Sequence, residues 1–102
     1  MEITVTGRHI EVTQAMREHA AEKAAKLPKY YDRITHVEVV IDPGPHNHEL
    51  DVELRVHVER HDPFIAKVSH EDPYAGLDLA ISKMERQLSD HKDKLRNRKH
   101  QA

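Results

Sequence analysis

The sequence predicts an α+β domain, a four-stranded sheet with two helices packed on one face, in the order β-α-β-β-β-α. Three observations predict it. Residues 50–59 alternate apolar and polar without error, as a strand with one buried and one wet face does. The apolar residues from Tyr74 to Leu95 instead recur at spacings of 3, 4, 3, 4 and 7, the period of a helix. A chain of 102 residues is also long enough for one compact core and too short for two.

In chain order, residues 2–6 alternate, with Ile3 and Val5 on one face and β-branched Thr4 and Thr6 on the other. Thr13 is suited to cap a helix running from about Gln14 to Leu27, whose apolar stripe is Met16, Ala20, Ala24 and Leu27. Pro28 stops that helix. Ile34 to Ile41 reads as the second strand, with Thr35, Val37, Val39 and Ile41 sharing a face. Residues 42–48 form a loop, since Pro43 and Pro45 deny backbone donors and Gly44 is permissive. The third strand buries Leu50, Val52, Leu54, Val56 and Val58 and exposes Asp51, Glu53, Arg55, His57 and Glu59. Residues 60–63 turn the chain into a fourth strand from Phe64 to about Ser69. Asp72 followed by Pro73 is a helix start, and the last helix continues to about Arg96. Parallel pairing of the first two strands through the crossover helix, followed by two hairpins, closes the sheet. Both helices then cover the apolar face and leave the charged face open.

Net charge is −2, but it is unevenly spread. Residues 1–82 carry 9 basic and 15 acidic side chains, whereas residues 83–102 carry 7 basic and 3 acidic ones. A chain so polarised can hold a polyanion at one end while its bulk charge stays slightly negative. The exposed side of the third strand offers acids, which repel phosphate, so the sheet is a poor RNA surface. The helices are the better candidate. Arg17, Lys23, Lys26, Lys29 and Arg33 lie along or just after the first, and Lys83, Arg86 and Lys94 face away from the apolar stripe of the second. Cations on a rigid surface grip the shape and phosphates of folded RNA without reading sequence.

Other chemistries find little support. There is no Cys, hence no disulfide, thiolate metal site or Cys nucleophile. Ten histidines invite a metal reading, which needs three or four convergent ligands, but of the closest spacings His46 and His48 lie in a loop, His57 of the pair His57 and His61 faces solvent beside carboxylates, and no HExxH pair occurs. No metal site and no cofactor is predicted. Neither a Gly-rich phosphate loop nor a nucleophile elbow is present, so the chain is read as a non-enzyme without a small-molecule substrate. No apolar run spans a membrane, and Met1–Thr6 lacks the basic start and apolar centre of a signal peptide, so a cytoplasmic location is expected.

Several stretches also match a known pattern in order: Ile3 to Thr13, Ala25-Lys26-Leu27, Tyr30 to Ile34, Glu71-Asp72, Tyr74-Ala75, Leu77-Asp78, Lys83 with Glu85 to Leu88, and Lys92 to Leu95. Through them the chain resembles the ribosome hibernation promoting factors. These are the ribosome-associated translation inhibitors, once labelled sigma-factor modulation proteins. The resemblance implies a factor that occupies the tRNA and mRNA channel of the small ribosomal subunit and inhibits translation in stationary phase or stress. Carried over by position, it implies rRNA contacts from Lys23, Lys26 and Lys29 and from Lys83, Arg86, Lys92, Lys94 and Arg96, extended by Arg98 and Lys99. Residues 1–96 are then one ribosome-binding domain and 97–102 a short basic tail. The chain resembles a short form, without the extra dimerising domain of long members or the acidic tail of purely inhibitory relatives. A helper protein for ribosome dimerisation is a further partner the resemblance allows. Pro73 and Gly76 depart from the pattern; Pro73 is harmless in a first turn, and Gly76 admits a close approach to the sheet or to RNA. The older family name supports an alternative, a protein-interaction module regulating a transcription or stress component.

Overall fold

The elements follow the predicted order: β1 (Glu2–Gly7), α1 (Gln14–Ala24), a 3-10 turn (Leu27–Lys29), β2 (Ile34–Pro43), β3 (Leu50–Val58), β4 (His61–His70) and α2 (Pro73–His100). The structure is a computed structural model that describes residues 1–46 and 48–100, with side chains described as far as Asn97. The strands lie in the order β1-β2-β3-β4, with β1 parallel to β2 and the other pairs antiparallel. One face of this sheet carries Val37, Val39, Ile41, Val52, Leu54, Val56, Ala66 and Val68. They pack under Met16, Ala20 and Ala24 of α1, Leu27 of the turn, and Leu77, Ala80, Ile81, Met84 and Leu88 of α2. Burying a Leu or Met side chain of this kind contributes about 1.5–3 kcal/mol. The core therefore fixes both helices on the same side of the sheet.

Local chemistry sets the boundaries. Thr13 caps α1 as predicted, its hydroxyl accepting from the Met16 N–H at 3.1 Å. The α-helix ends at Ala24 rather than Leu27 because Pro28 has no N–H to give to the Ala24 carbonyl. The chain tightens instead into i→i−3 bonds, Lys26 to Lys23, Lys29 to Lys26 and Tyr30 to Leu27, and this keeps Leu27 wholly buried. Gly7 permits the close passage of the β1–α1 connection, where any Cβ would lie 2.3 Å from the Ile10 carbonyl oxygen. At the start of α2 the Asp72 carboxylate accepts from the Tyr74 N–H at 2.9 Å. Gly76 serves the sheet side of α2, where an added Cβ would stand 3.1 Å from Val52 Cγ2.

Four further expectations are corrected. Thr35 does not share the core face. The register shifts between Ile34 and His36, so Ile34 pairs with Val58 and His36 with His57 while Thr35 bulges outward, exposed. Strand β2 also runs on to Pro43, taking two residues of the expected loop. Strand β4 begins at His61, because the turn shrinks to Glu59-Arg60, with Arg60 in the left-handed region at φ 60°. A second bulge then sets Asp62 and Pro63 against His57, and Pro63 is tolerated because β4 is an edge strand. Finally α2 continues to His100, past the expected stop at Arg96, and its stripe leaves the core after Leu88, so that Leu95 is exposed.

Candidate RNA-binding face

Helices α1 and α2 lie side by side and run the same way. His19 of α1 meets the start of α2, its Nε2 2.7 Å from Asp78 Oδ1 and its ring edge-on to Tyr74. Further along, the Tyr30 hydroxyl donates to the Glu85 carboxylate. That carboxylate's charge, with the hydrogen bond and a minor desolvation contribution, holds the Tyr30 phenol above its ordinary value. Beyond this contact α1 has ended and α2 runs on. Lys29, Tyr30, Ser89, Lys92, Asp93 and Arg96 line a cleft of about 170 Å³ there. Lys92 and Arg96 also border a larger cleft of about 660 Å³, closed on its other sides by Arg33, Arg60, His91 and Leu95 among others.

The two clefts gather cations from four parts of the chain: the turn after α1, the entry to β2, the β3–β4 hairpin and the far end of α2. Among the acids beside them, Asp93 pairs with Arg96 at 3.6 Å. An exposed i,i+3 pair of this kind holds its arginine only weakly, so Arg96 can exchange it for a phosphate.

The predicted site residues divide between the flanks of α2. Lys23 lies four residues after His19 and so on the α2 side of α1, with exposed Lys26 in the turn beyond it. Lys29, Lys92 and Arg96 meet at the cleft. Lys83 does not join them. Its ammonium leans over the outer edge of the sheet and donates to the Lys67 carbonyl at 3.4 Å, next to Gln87, which donates to the Ile65 carbonyl at 2.9 Å. Lys94, three turns on, projects from that same flank, and Arg86 stands on the exposed crest between. The expectation that Lys83, Arg86 and Lys94 together oppose the core therefore holds for Arg86, while Lys83 folds down against β4. Arg17 is drawn the other way, giving Nη1 to the Val5 carbonyl at 2.6 Å. The side chains of Arg98 and Lys99 lie outside the described residues.

Arg60 was missed by sequence reasoning, because a turn residue gives no sign that its hairpin ends beside a helix. The open sheet face has the opposite character. It presents Glu38, Asp51 and Glu53 with few cations, of which Arg55 is taken by Glu53 at 2.8 Å and Lys67 lies 3.7 Å from Asp51. Sequence spacing also missed one grouping on this face: His36, Glu38 and His57, the described residues that could together hold a metal ion.

Comparison with known proteins fits this geometry. The family model described as sigma 54 modulation protein / S30EA ribosomal protein matches residues 3–96. The chain belongs to this family. Its relatives in the family include a ribosome hibernation promoting factor of Escherichia coli K12, 41% identical over 97 residues, which span 94% of this chain and 98% of that one. One from Pseudomonas putida is 33% identical over 94 residues, covering 92% and 89%. Among solved structures, a ribosomal subunit interface protein from Coxiella burnetii superposes with a TM-score of 0.82 at 25% identity, covering 91% of this chain and 99% of the other. The N-terminal domain of Thermus thermophilus Protein Y gives 0.77 at 26% identity, covering 89% and 99%. The family's match takes in both helices up to Arg96, and so every predicted cation except Arg98 and Lys99. The family description names a modulation protein and a ribosomal protein rather than an enzyme. Among the described residues, no helix is long and apolar enough to cross a membrane.

Proposed function

We propose that this chain is a cytoplasmic ribosome hibernation factor, with residues 1–96 acting as one ribosome-binding unit. It binds the small ribosomal subunit in the channel used by tRNA and mRNA and inhibits translation by excluding both. One observation carries this reading. The cations of α1, α2 and the adjoining turns are grouped on the helix layer, around the clefts shared by Lys92 and Arg96, while the acids of the sheet are turned to the other side. Such a layer suits the phosphates of folded rRNA, which are held by charge and shape without base readout. Relatives named ribosome hibernation promoting factor support the biological setting. The mechanism is steric, and no bond is made or broken.

Sucrose-gradient sedimentation with purified ribosomes tests it. The protein should travel with the small subunit and with whole ribosomes, and bound tRNA should be displaced as it saturates. A protein that stays at the top of the gradient at low salt would overturn the proposal in favour of a protein-interaction module. Co-migration with the large subunit alone would overturn the channel assignment.

A further inference from the structure

We propose that His36, Glu38 and His57 form a site for one divalent transition-metal ion of the zinc class on the open face of the sheet. Two of these side chains come from β2 at positions i and i+2, which alternation places on the same face. The third comes from β3, directly across from His36. The bulge at Thr35 sits immediately before the cluster and separates the parity of Ile34, which packs on the core, from that of His36, which faces out.

The spacing fits an ion. Zinc bonds of about 2.0–2.1 Å in a tetrahedron place ligand atoms about 3.3 Å apart. Here His57 Nε2 lies 2.8 Å from Glu38 Oε1, a hydrogen bond that the ion replaces as the ring proton moves to Nδ1, and His36 Nδ1 lies 3.9 Å from the same oxygen. All three donor atoms fall within 4.8 Å of one another. The rings of His36 and His57 lie 5.3 Å apart and 19° from parallel, so each ring must turn until its nitrogen lone pair points at the shared position.

Donor chemistry selects the class. Two imidazole nitrogens and a carboxylate oxygen suit zinc and its neighbours, whereas calcium and magnesium seek oxygen alone. A supporting contact is present as well: Thr4 Oγ1 lies 3.2 Å from His36 Nε2. With Nε2–H donating to that hydroxyl, Nδ1 turns its lone pair toward Glu38, the arrangement in which metal-bound imidazoles are usually held. The adjacent cation does not compete, since Arg55, across from Glu38, gives its Nε to Glu53 at 2.8 Å. Each ligand is about one-third exposed, which leaves a coordination position open to water. The site tethers β2 to β3 on the face away from the helix-layer cations, so it does not depend on the ribosome reading.

Calorimetric titration of the full, untagged chain with zinc tests the proposal, alongside the absorption spectrum of cobalt(II) as a tetrahedral probe and the imidazole NMR signals. The expected result is saturation at one ion per chain at micromolar zinc, with the ring signals of His36 and His57 shifting first and the melting temperature rising. His36→Ala, His57→Ala and Glu38→Gln should each weaken zinc at least tenfold, and Thr4→Val about tenfold through loss of the ring's orientation. All four alter partly exposed side chains outside the core, and unchanged circular dichroism verifies the fold. His46→Ala with His48→Ala should bind like wild type. Absence of saturable binding in the micromolar range overturns the proposal. So does wild-type affinity in the combined His36→Ala, His57→Ala variant, which would place the ion on other histidines.

Discussion

Tyr30 shows how a single side chain joins the two helices. It follows the 3-10 turn that Pro28 imposes, and its hydroxyl reaches across to Glu85 on α2. The Glu85 charge and hydrogen bond favour the neutral phenol, so the folded ionisation point lies above that of the unfolded chain. The pair's contribution to stability is whole below the ordinary phenol value of about 10 and is lost as pH climbs through the raised folded value. Glu85→Gln should therefore lower the ionisation midpoint of Tyr30, followed by its ring signals in an NMR titration. An unchanged midpoint would mean that the carboxylate is not the cause. This contact could not be read from the sequence, where 55 positions separate the two residues and neither belongs to an apolar stripe.

At the scale of elements, what was legible follows from chemistry that acts within a few residues. The error-free alternation of β3, the stripe of α2 as far as Leu88, the Thr13 cap and the Asp72-Pro73 start are all local signals, and the structure carries each of them. The failures occur where pairing with a neighbour decides. Thr35 looks like a core position because it shares parity with Val37, but cross-strand registration lets larger, apolar Ile34 take the core side and ejects Thr35 into a bulge. Pro63 marks a turn in any local reading, yet an edge strand accepts it at a bulge. The candidate site divides the same way: sequence names the cations, but the flank each one takes depends on what its helix rests against. Because α1 is only 11 residues long, its local signals also matter energetically. Thr13→Ala should cost about 1 kcal/mol, since the Met16 N–H loses its acceptor at the entry to the helix. Denaturant unfolding would measure this, and a change below a few tenths would show that the cap is replaced by water.

The whole molecule is a two-faced plate, and its small net charge conceals this. Helices and hairpin gather Lys29, Arg33, Arg60, Lys92 and Arg96 around two clefts, while the open side of the sheet holds Glu38, Asp51 and Glu53. Phosphate binding releases counterions in proportion to the contacts made, so the salt dependence of ribosome affinity counts those contacts. Replacing Lys29, Lys92 and Arg96 together by Ala should weaken co-sedimentation and lower the slope of log affinity against log salt by about one for each cation that touches a phosphate. Replacing Lys83, Arg86 and Lys94 should have a smaller effect on the slope, because Lys83 is folded against the Lys67 carbonyl and Lys94 shares its flank, away from the clefts. Neutralising Asp51 and Glu53 as Asn and Gln should leave the slope unchanged, since they lie on the side turned away from RNA. If the second triple proves the costlier, the outer flank of α2, and not its cleft with α1, faces the ribosome. A loss of slope on altering the sheet would place the RNA across the open face, where acids now stand, and the polarity of the plate would no longer explain its binding.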